Sequence, residues 1–257
     1  RGLDLYVNLR PLILYDSRLT PLKDKTEKDI RIFVMRENTE DVYGRQGTRT
    51  GQGTPDERVS VDMVFTRRGI ERITRYGFER ARELDRKKVT LVDKSNAVPI
   101  QQLWRDVLED VAAEYPDVEH DAMYVDAACM WLVQKPEQFS VIVTTNLFGD
   151  IITDLGAAIC GGLGTGASAN IHPGRVSMFE PIHGSAPKYT GQQAASPIGA
   201  IGALALLLDH VGLRDARAAV NDAIFSGFRT GRIDGVEARV GRTFEDAKVI
   251  AELITKQ

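Results

Sequence analysis

The sequence is poor in cysteine, in aromatic residues and in long apolar stretches. It contains two cysteines, Cys129 and Cys160, and 7% aromatic residues in 257 positions. So few cysteines exclude a disulfide-rich secreted scaffold, and both lie among apolar neighbours, so we expect reduced thiols in the core. No apolar run reaches the roughly 20 residues that a bilayer crossing requires. These scarcities favour a cytoplasmic globular protein.

An excess of charge of one sign is also missing. The formal net charge is −3, which gives no reason to expect nucleic acid or a membrane surface as a partner. Hydrophobic residues make up 43% of the chain and charged residues 27%, which is typical of a domain with a substantial core. The chain starts at Arg1, inside what has the pattern of structured sequence, so we expect that an upstream portion precedes it.

Strand-like and helix-like patterns alternate along the chain. β-Branched apolar runs predict strands over 30–35, 89–92, 120–125 and 141–144, and amphipathic or apolar periodicity predicts helices over 67–87, 99–115, 127–134, 197–211, 215–227 and 244–256. This alternation is typical of an α/β fold with helices packed on a sheet. The small, glycine-rich segment 161–174 predicts a crossover between two domains.

One segment breaks this pattern. Residues 44–57 hold four glycines, three threonines and a proline, with little periodicity. Composition fits two interpretations equally, a mobile surface loop or a β-arm that pairs with another subunit.

The most specific chemical feature is a pair of aspartates one helical turn apart. Asp150 and Asp154 follow the apolar strand 141–144 and share one face of the next helix. Two carboxylates held this close repel each other unless a cation lies between them, and oxygen ligands suit Mg²⁺ or Mn²⁺. Open α/β sheets bind ligands beyond the carboxyl ends of their strands, which favours a metal site over two solvated charges.

Further polar groups follow other strands or turns. Arg36 directly follows one strand, where an arginine can bind a carboxylate through two hydrogen bonds. Tyr43 comes seven residues later and can act as an acid if its pKa is lowered. Each candidate alone has an ordinary structural explanation, such as a surface charge or a helix N-cap. The remaining candidates are Lys94 after the second strand, Asp126 after the third, Arg10 beside Pro11 in what we interpret as a rigid turn, and the loop from Glu180 to Tyr189. Together they suit a metal-polarised 2-hydroxy acid.

These motifs resemble the β-decarboxylating dehydrogenases, the isocitrate/isopropylmalate dehydrogenase family. The resemblance runs in order from Leu3 to about Ala251. Its blocks are Asp4 to Pro11, Arg36 to Tyr43, Asp93 to Asn96, Asn146 to Asp154 and Glu180 to Pro187.

The resemblance implies a fold of two α/β domains with a protruding intersubunit β-arm. It implies that residues 6–160 form the substrate, metal and dimerisation domain, with the arm at about 44–58, and that 161–257 form the C-terminal part of a cofactor domain. The upstream segment that completes this domain in the family, about the first quarter of a working enzyme, is not in the sequence. A homodimer with shared active sites is also implied.

The resemblance further implies the role of each site residue. Arg10 and Arg36 would bind the malate carboxylates together with Tyr43 and Lys94. Tyr43 would be the general acid and Lys94 would serve the proton relay. The metal ligands would be Asp126, Asp150 and Asp154, with Lys94 and Asp126 entering the partner's active site. The cofactor would be wrapped by His183, Gly184, Ser185, Ala186, Lys188, Tyr189 and Ser196.

The implied reaction is oxidative decarboxylation of a 3-substituted malate. The expected substrate is 3-isopropylmalate, which would give 4-methyl-2-oxopentanoate in leucine biosynthesis. The open alternatives are isocitrate, homoisocitrate and tartrate or D-malate, and a catalytically silent regulatory subunit. Lys188-Tyr189 stands where NAD-dependent members have Asp-Ile, so NADP remains an alternative to the expected NAD.

Overall fold

A computed structural model describes residues 2–255 and contains a seven-stranded mixed sheet flanked by helices. The strands are β1 (Val7–Ile13), β2 (Arg31–Glu37), β3 (Thr48–Thr50), β4 (Arg58–Ser60), β5 (Lys88–Asp93), β6 (Glu119–Tyr124), β7 (Val141–Thr144), β8 (Ala167–Ile171) and β9 (Met178–Pro181). The helices are α1 (Arg67–Arg82), α2 (Gln102–Ala112), α3 (Val125–Gln134), α4 (Asn146–Ile159), α5 (Ile198–His210), α6 (Arg214–Arg229) and α7 (Arg242–Ile254).

The sheet has the strand order β6-β5-β7-β2-β1-β8-β9. Strands β6, β5, β7 and β2 run parallel, whereas β1, β8 and β9 each pair antiparallel with their neighbours. One face of the sheet packs on α1 and α2, and the other packs on α3 and α4. A third apolar cluster joins Tyr15 to α5, α6 and α7. Because β6, β5, β7 and β2 run parallel, their carboxyl ends meet at one edge of the sheet.

Most predicted elements are present, with shifted ends. Helix α1 stops at Arg82 rather than residue 87, and the segment predicted as one helix over 99–115 begins with a 3-10 turn before α2. The helix predicted over 244–256 runs from Arg242 to Ile254, and Lys256 lies outside the described residues. None of the helices within residues 2–255 combines the length and apolarity that crossing a membrane requires.

The rigid turn predicted beside Pro11 is wrong. Pro11 lies inside β1, opposite Phe33 of β2. The amide of Phe33 donates to Ser140 instead of to β1, so this pair exchanges no ladder hydrogen bonds. On its other side β1 pairs with β8 only as far as Leu9. A proline is tolerated here because the pairing of β1 with β8 ends before Pro11, so the ladder requires no N–H from it.

The glycine-rich segment 161–174 contains a strand that the sequence did not predict. Residues Gly161 and Gly162 adopt φ of 109° and 106°, which only glycine reaches without strain, and β8 follows shortly after. Strand β3 lies within the segment 44–57, and it pairs antiparallel with β4, which begins directly after that segment. Every residue of both strands is exposed. The arm is therefore a solvent-exposed hairpin. Its pairing with another subunit and the two-domain division stay predictions.

Candidate active site

Polar side chains gather where the parallel strands end. Strand β2 ends in Arg36 and Glu37, β5 leads into Lys94, and β7 leads into α4. Thr145 caps α4, since its hydroxyl accepts from the amide of Phe148 at 3.3 Å. A Cβ on Gly149 would lie 2.5 Å from Cγ of Arg36. This glycine lets the arginine lie directly against the first turn of α4.

Three predicted site residues converge on Asp150. The Nη1 of Arg36 donates to Oδ1 of Asp150 at 2.5 Å, and the Nη1 of Arg10 donates to the same oxygen at 3.3 Å. The hydroxyl of Tyr43 donates to Oδ2 at 2.9 Å. Arg10 also lies 4.0 Å from Asp154, which links the second aspartate to the cluster. The structure thus brings together both predicted arginines, the tyrosine and the aspartate pair.

Electrostatics favour the ionised form of Asp150. Partial burial opposes its charge, but the positive charge of Arg36, the hydroxyl of Tyr43 and Arg10 outweigh burial and hold its pKa below the ordinary range. The carboxylate is therefore charged near neutral pH and is able to bind a cation. Its side chain is 41% exposed and that of Asp154 is 65% exposed, so both oxygen sets are open to solvent.

Tyr43 differs from the expectation of a lowered pKa. Partial burial and the hydrogen bond to Asp150 raise the pKa of this phenol above its ordinary value, despite the Arg36 guanidinium 5.1 Å from the ring centre. The residue keeps its proton at neutral pH. The lowered pKa that was set as a condition for acid catalysis is therefore absent, although a proton donor needs the protonated state that the structure favours.

Lys94 and Asp126 form a second cluster. The ammonium of Lys94 donates to Oδ1 of Asp126 at 2.6 Å, and it lies 5.6 Å from the ring centre of Tyr124. The hydrogen bond from Lys94 lowers the pKa of Asp126. Within residues 2–255, no group of three His, Cys, Asp or Glu side chains is placed to hold a metal ion. Asp126 therefore does not join Asp150 and Asp154 within one copy of the chain.

The predicted cofactor loop follows β9. His183, Gly184, Ser185 and Ala186 lead into a 3-10 turn that contains Lys188 and Tyr189, with Ala186 in the left-handed region at φ 43°. Lys188 is exposed and its Nζ lies 4.8 Å from the ring centre of Tyr189. Ser196 is set apart from this surface. It is buried, and its hydroxyl accepts from the amide of Ile198 at the start of α5.

Three supporting residues were not assigned from sequence. The amide of buried Asn146 accepts from Nε of Arg36 at 2.9 Å and donates to the carbonyl of Glu40 at 3.2 Å. The hydroxyl of Thr153 accepts from Arg10 at 2.8 Å. Asp41 accepts from the amide of Leu147 at 2.9 Å. Asn146 and Thr153 lie within the quoted aspartate motif, and their polar character in an otherwise apolar helix was the available signal.

Comparison with known proteins identifies the family of the chain. The family model described as isocitrate/isopropylmalate dehydrogenase matches residues 1–243. A 3-isopropylmalate dehydrogenase from Thermobifida fusca is 49% identical over 222 residues, which are 85% of this chain and 63% of that protein. A decarboxylating D-malate dehydrogenase from Escherichia coli K12 is 42% identical over 247 residues, which are 91% of this chain and 68% of that protein.

Solved structures give the same result. The crystal structure of isocitrate dehydrogenase from Methylococcus capsulatus superimposes with a TM-score of 0.85 at 37% identity, covering 98% of this chain and 74% of that one. The predicted fold class is confirmed. The chain spans 63% of the length of the T. fusca relative, so it corresponds to part of such a protein. The chain belongs to the isocitrate/isopropylmalate dehydrogenase family.

Proposed function

We propose that the protein catalyses the metal-dependent oxidative decarboxylation of a 3-substituted malate with a nicotinamide dinucleotide. The observation that carries the proposal is the convergence of Arg10, Arg36 and Tyr43 on Asp150. Two guanidinium groups suit a dicarboxylate, a protonated phenol suits proton delivery, and an ionised aspartate pair suits a hard cation.

Arg10 and Arg36 bind and orient the substrate carboxylates in this proposal. In the structure both arginines contact Asp150. A dicarboxylate would replace that aspartate as their anionic partner, which would free the carboxylate for a cation. Lys94 is an ammonium in its ion pair with Asp126, so it must first give up a proton before it can accept the one that leaves the substrate hydroxyl. Tyr43 delivers a proton to carbon after loss of CO₂.

Asp150 and Asp154 would hold Mg²⁺ or Mn²⁺ together with Asp126 from a second copy of the chain. The oxygen-only donor set and its exposure fit a hard divalent ion. When bound, such an ion polarises the C2 oxygen and stabilises developing negative charge. A homodimer with shared active sites follows from this ligand set, and the exposed hairpin of β3 and β4 is the arm that would pair between subunits.

NAD is the proposed cofactor, bound by the loop His183 to Ala186. The cation Lys188 stands at the position after Ala186-Pro187 and is unable to accept from a ribose hydroxyl. NADP therefore remains the alternative, and a preference for NADP above about 10-fold, or about 1.4 kcal/mol, would contradict the proposal.

The proposed substrate is 3-isopropylmalate. Two observations support it. The chain is 49% identical to the 3-isopropylmalate dehydrogenase from T. fusca, and the small apolar residue Ala97 follows Lys94-Ser95-Asn96. D-Malate is the second candidate, because a decarboxylating D-malate dehydrogenase is 42% identical to this chain over 247 residues.

The test is a spectrophotometric assay of the full-length protein. Reduction of NAD⁺ and of NADP⁺ is followed with 3-isopropylmalate, D-malate, tartrate, isocitrate and homoisocitrate, with Mg²⁺ or Mn²⁺ and then with chelator. We expect one preferred hydroxy acid and complete loss of turnover on metal removal. Asp154→Asn should abolish metal-dependent turnover, whereas Asp24→Asn, at an exposed residue, should not. Chelator-resistant turnover, or none with any acid, would contradict the proposal.

A further inference from the structure

Asp41 is a fully buried aspartate between β2 and the exposed hairpin of β3 and β4. It has 0% exposure and lies two residues before Tyr43. Its backbone N–H donates to the carbonyl of Val64 at 3.0 Å, at the point where the chain returns from the arm. The catalytic tyrosine of the proposed mechanism is therefore close in sequence to a residue that is fixed to a different part of the chain.

Both carboxylate oxygens of Asp41 are in use. Oδ2 accepts from the amide of Leu147 at 2.9 Å, and Oδ1 accepts from the amide of Val42 at 2.8 Å. The amide of Leu147 belongs to the first turn of α4, where N–H groups have no partner within the helix. The carboxylate thus caps the helix that carries Asp150 and Asp154, across 106 positions of sequence.

The backbone of Asp41 adopts a conformation that few side chains tolerate. Its φ is 74°, in the left-handed region, where residues other than glycine are uncommon and aspartate and asparagine are enriched. Such conformations cost free energy and persist where the surrounding contacts fix them. Here those contacts are the bond to Val64, the cap on α4, and the Asp41 carbonyl, which accepts from Nε of Arg45 at 2.7 Å.

We propose that Asp41 is a positioning residue that fixes Tyr43 relative to the Asp150 and Asp154 face of α4. It ties the tyrosine segment to the helix at one end of the site, and the Tyr43–Asp150 hydrogen bond closes the other end. Asn146 adds a parallel link, since its amide nitrogen donates to the carbonyl of Glu40. The inference rests on the proposed function, because it assigns Asp41 a task at that same site.

Two substitutions separate the side chain from the backbone conformation. Asp41→Gly keeps the left-handed conformation without strain and removes both acceptor oxygens. Asp41→Asn keeps the conformation and one acceptor, but turns an amide nitrogen toward an N–H donor. The matched control is Asp24→Gly, at an exposed aspartate with φ 58° and no hydrogen bond or ion pair among the described residues.

The experiment measures kcat, KM for the hydroxy acid, and the Mn²⁺ dissociation constant by calorimetry on the folded full-length protein. We expect Asp41→Gly to lower kcat by about 10–100-fold, because small misplacements of catalytic groups have such effects. Its Mn²⁺ dissociation constant should rise by about 10-fold or more. Asp41→Asn should recover part of both losses, and Asp24→Gly should match the wild type.

A purely structural role would lower the melting temperature and the yield while leaving kcat and the Mn²⁺ affinity of the folded fraction unchanged. That result for Asp41→Gly would overturn the inference. If the wild type binds Mn²⁺ at a site lost in Asp154→Asn but turns over no hydroxy acid, the proposed function fails, and the Mn²⁺ affinity of Asp41→Gly still decides the role of Asp41. A wild type with neither activity nor Mn²⁺ binding overturns both.

Discussion

At the scale of single residues, burial sets the reactivity of the two cysteines. Cys160 is 2% exposed and burial raises the pKa of its thiol to about 12, while Cys129 is partly exposed with a pKa also raised by burial. At pH 8 the thiolate fraction of Cys160 is then about 10⁻⁴, because the thiolate population falls tenfold per pH unit below the pKa. We therefore expect Cys160 to be inert toward iodoacetamide in the folded protein.

The measurement uses Cys129→Ser, which leaves Cys160 as the one thiol of the sequence. Labelling is followed by mass spectrometry at pH 8 with and without denaturant. Complete labelling in denaturant with little in the folded state is the expected result. Equal labelling rates in both states would contradict the burial of Cys160.

Residue types at the site were predictable, and their partners were less so. Arg36 and Asp150 were found because charged groups that follow apolar strands stand out, whereas Arg10 and Tyr43 were assigned through the family resemblance of their motifs. Asp41 was missed because its role depends on a hydrogen bond to Leu147, 106 positions away. Nothing in the local pattern distinguishes such a buried cap from a surface acid.

At the scale of secondary-structure elements, α4 packs against the sheet through two glycines with different neighbours. A Cβ on Gly149 would lie 2.5 Å from Cγ of Arg36, and a Cβ on Gly156 would lie 2.2 Å from Cδ1 of Leu12. Each alanine substitution therefore overpacks the interface, which costs about 1–3 kcal/mol. We expect both variants to lose stability in denaturant unfolding, but only Gly149→Ala to displace Arg36.

Steady-state kinetics separate the two glycine variants. Gly149→Ala should raise KM for the hydroxy acid, and Gly156→Ala should leave the KM of the folded fraction near that of the wild type. Equal KM values in the two variants would show that Arg36 does not depend on the close approach of α4.

Ion pairs whose effect depends on pH join α1 to α2 and to the turn that follows α2. Arg75 donates to both carboxylate oxygens of Glu114, at 2.5 and 2.6 Å, and this hydrogen bonding lowers the pKa of Glu114. A carboxyl with a depressed pKa stabilises the fold above its unfolded pKa of about 4.3, and this contribution is lost as pH falls through the folded value. Arg75→Met should thus lower the melting temperature at pH 7 and have a smaller effect at pH 3.

The control for this pair is Arg68→Met on the same helix. Arg68 is exposed and has no ion pair among the residues that the structure describes, so its replacement should show no comparable pH dependence. A constant difference between Arg75→Met and the wild type from pH 7 to pH 3 would indicate packing rather than charge.

Elements were predicted well where one physical signal dominated. Strand β7 was predicted with its observed ends because its four residues are apolar or β-branched and all are buried. Strand β8 was missed because its Ala, Ser and Asn residues have weak strand propensity, and its pairing with β1 and β9 supplies what the local sequence lacks. The helix predicted to residue 87 ends at Arg82, although Leu84 still packs on the core, so charge and apolar periodicity alone did not locate its end.

At the scale of the whole molecule, the site divides into two clusters. Arg10, Arg36, Tyr43 and the aspartate pair form one cluster, and Lys94 with Asp126 forms the other. Strand order explains part of this arrangement, since β5 and β6 lie on the far side of β7 from β2. The sequence shows which residues end strands, but not which strand ends adjoin within one chain.

Shared sites in a homodimer would bring the two clusters together, and subunit mixing tests this. Asp154→Asn inactivates the first cluster and Lys94→Ala the second, so each homodimer should be inactive. A heterodimer would hold one site with every wild-type group. Unfolding and refolding the two variants together in equal amounts should then recover about a quarter of the wild-type activity, because half of the dimers are mixed and half of their sites are intact.

The matched control mixes Asp154→Asn with Tyr43→Phe. Both substitutions lie in the same cluster, so every site of that heterodimer carries one defect and no activity should return. Recovery in the first mixture but not in the second requires that Lys94 acts on the site of another copy. Failure of the first mixture, with mixed dimers verified by native mass spectrometry, would mean that Lys94 and Asp154 serve one site within a single chain. The Lys94 side chain would then have to leave Asp126 to join the first cluster, because in this structure Lys94 donates to Asp126 and Asp154 lies beside Arg10.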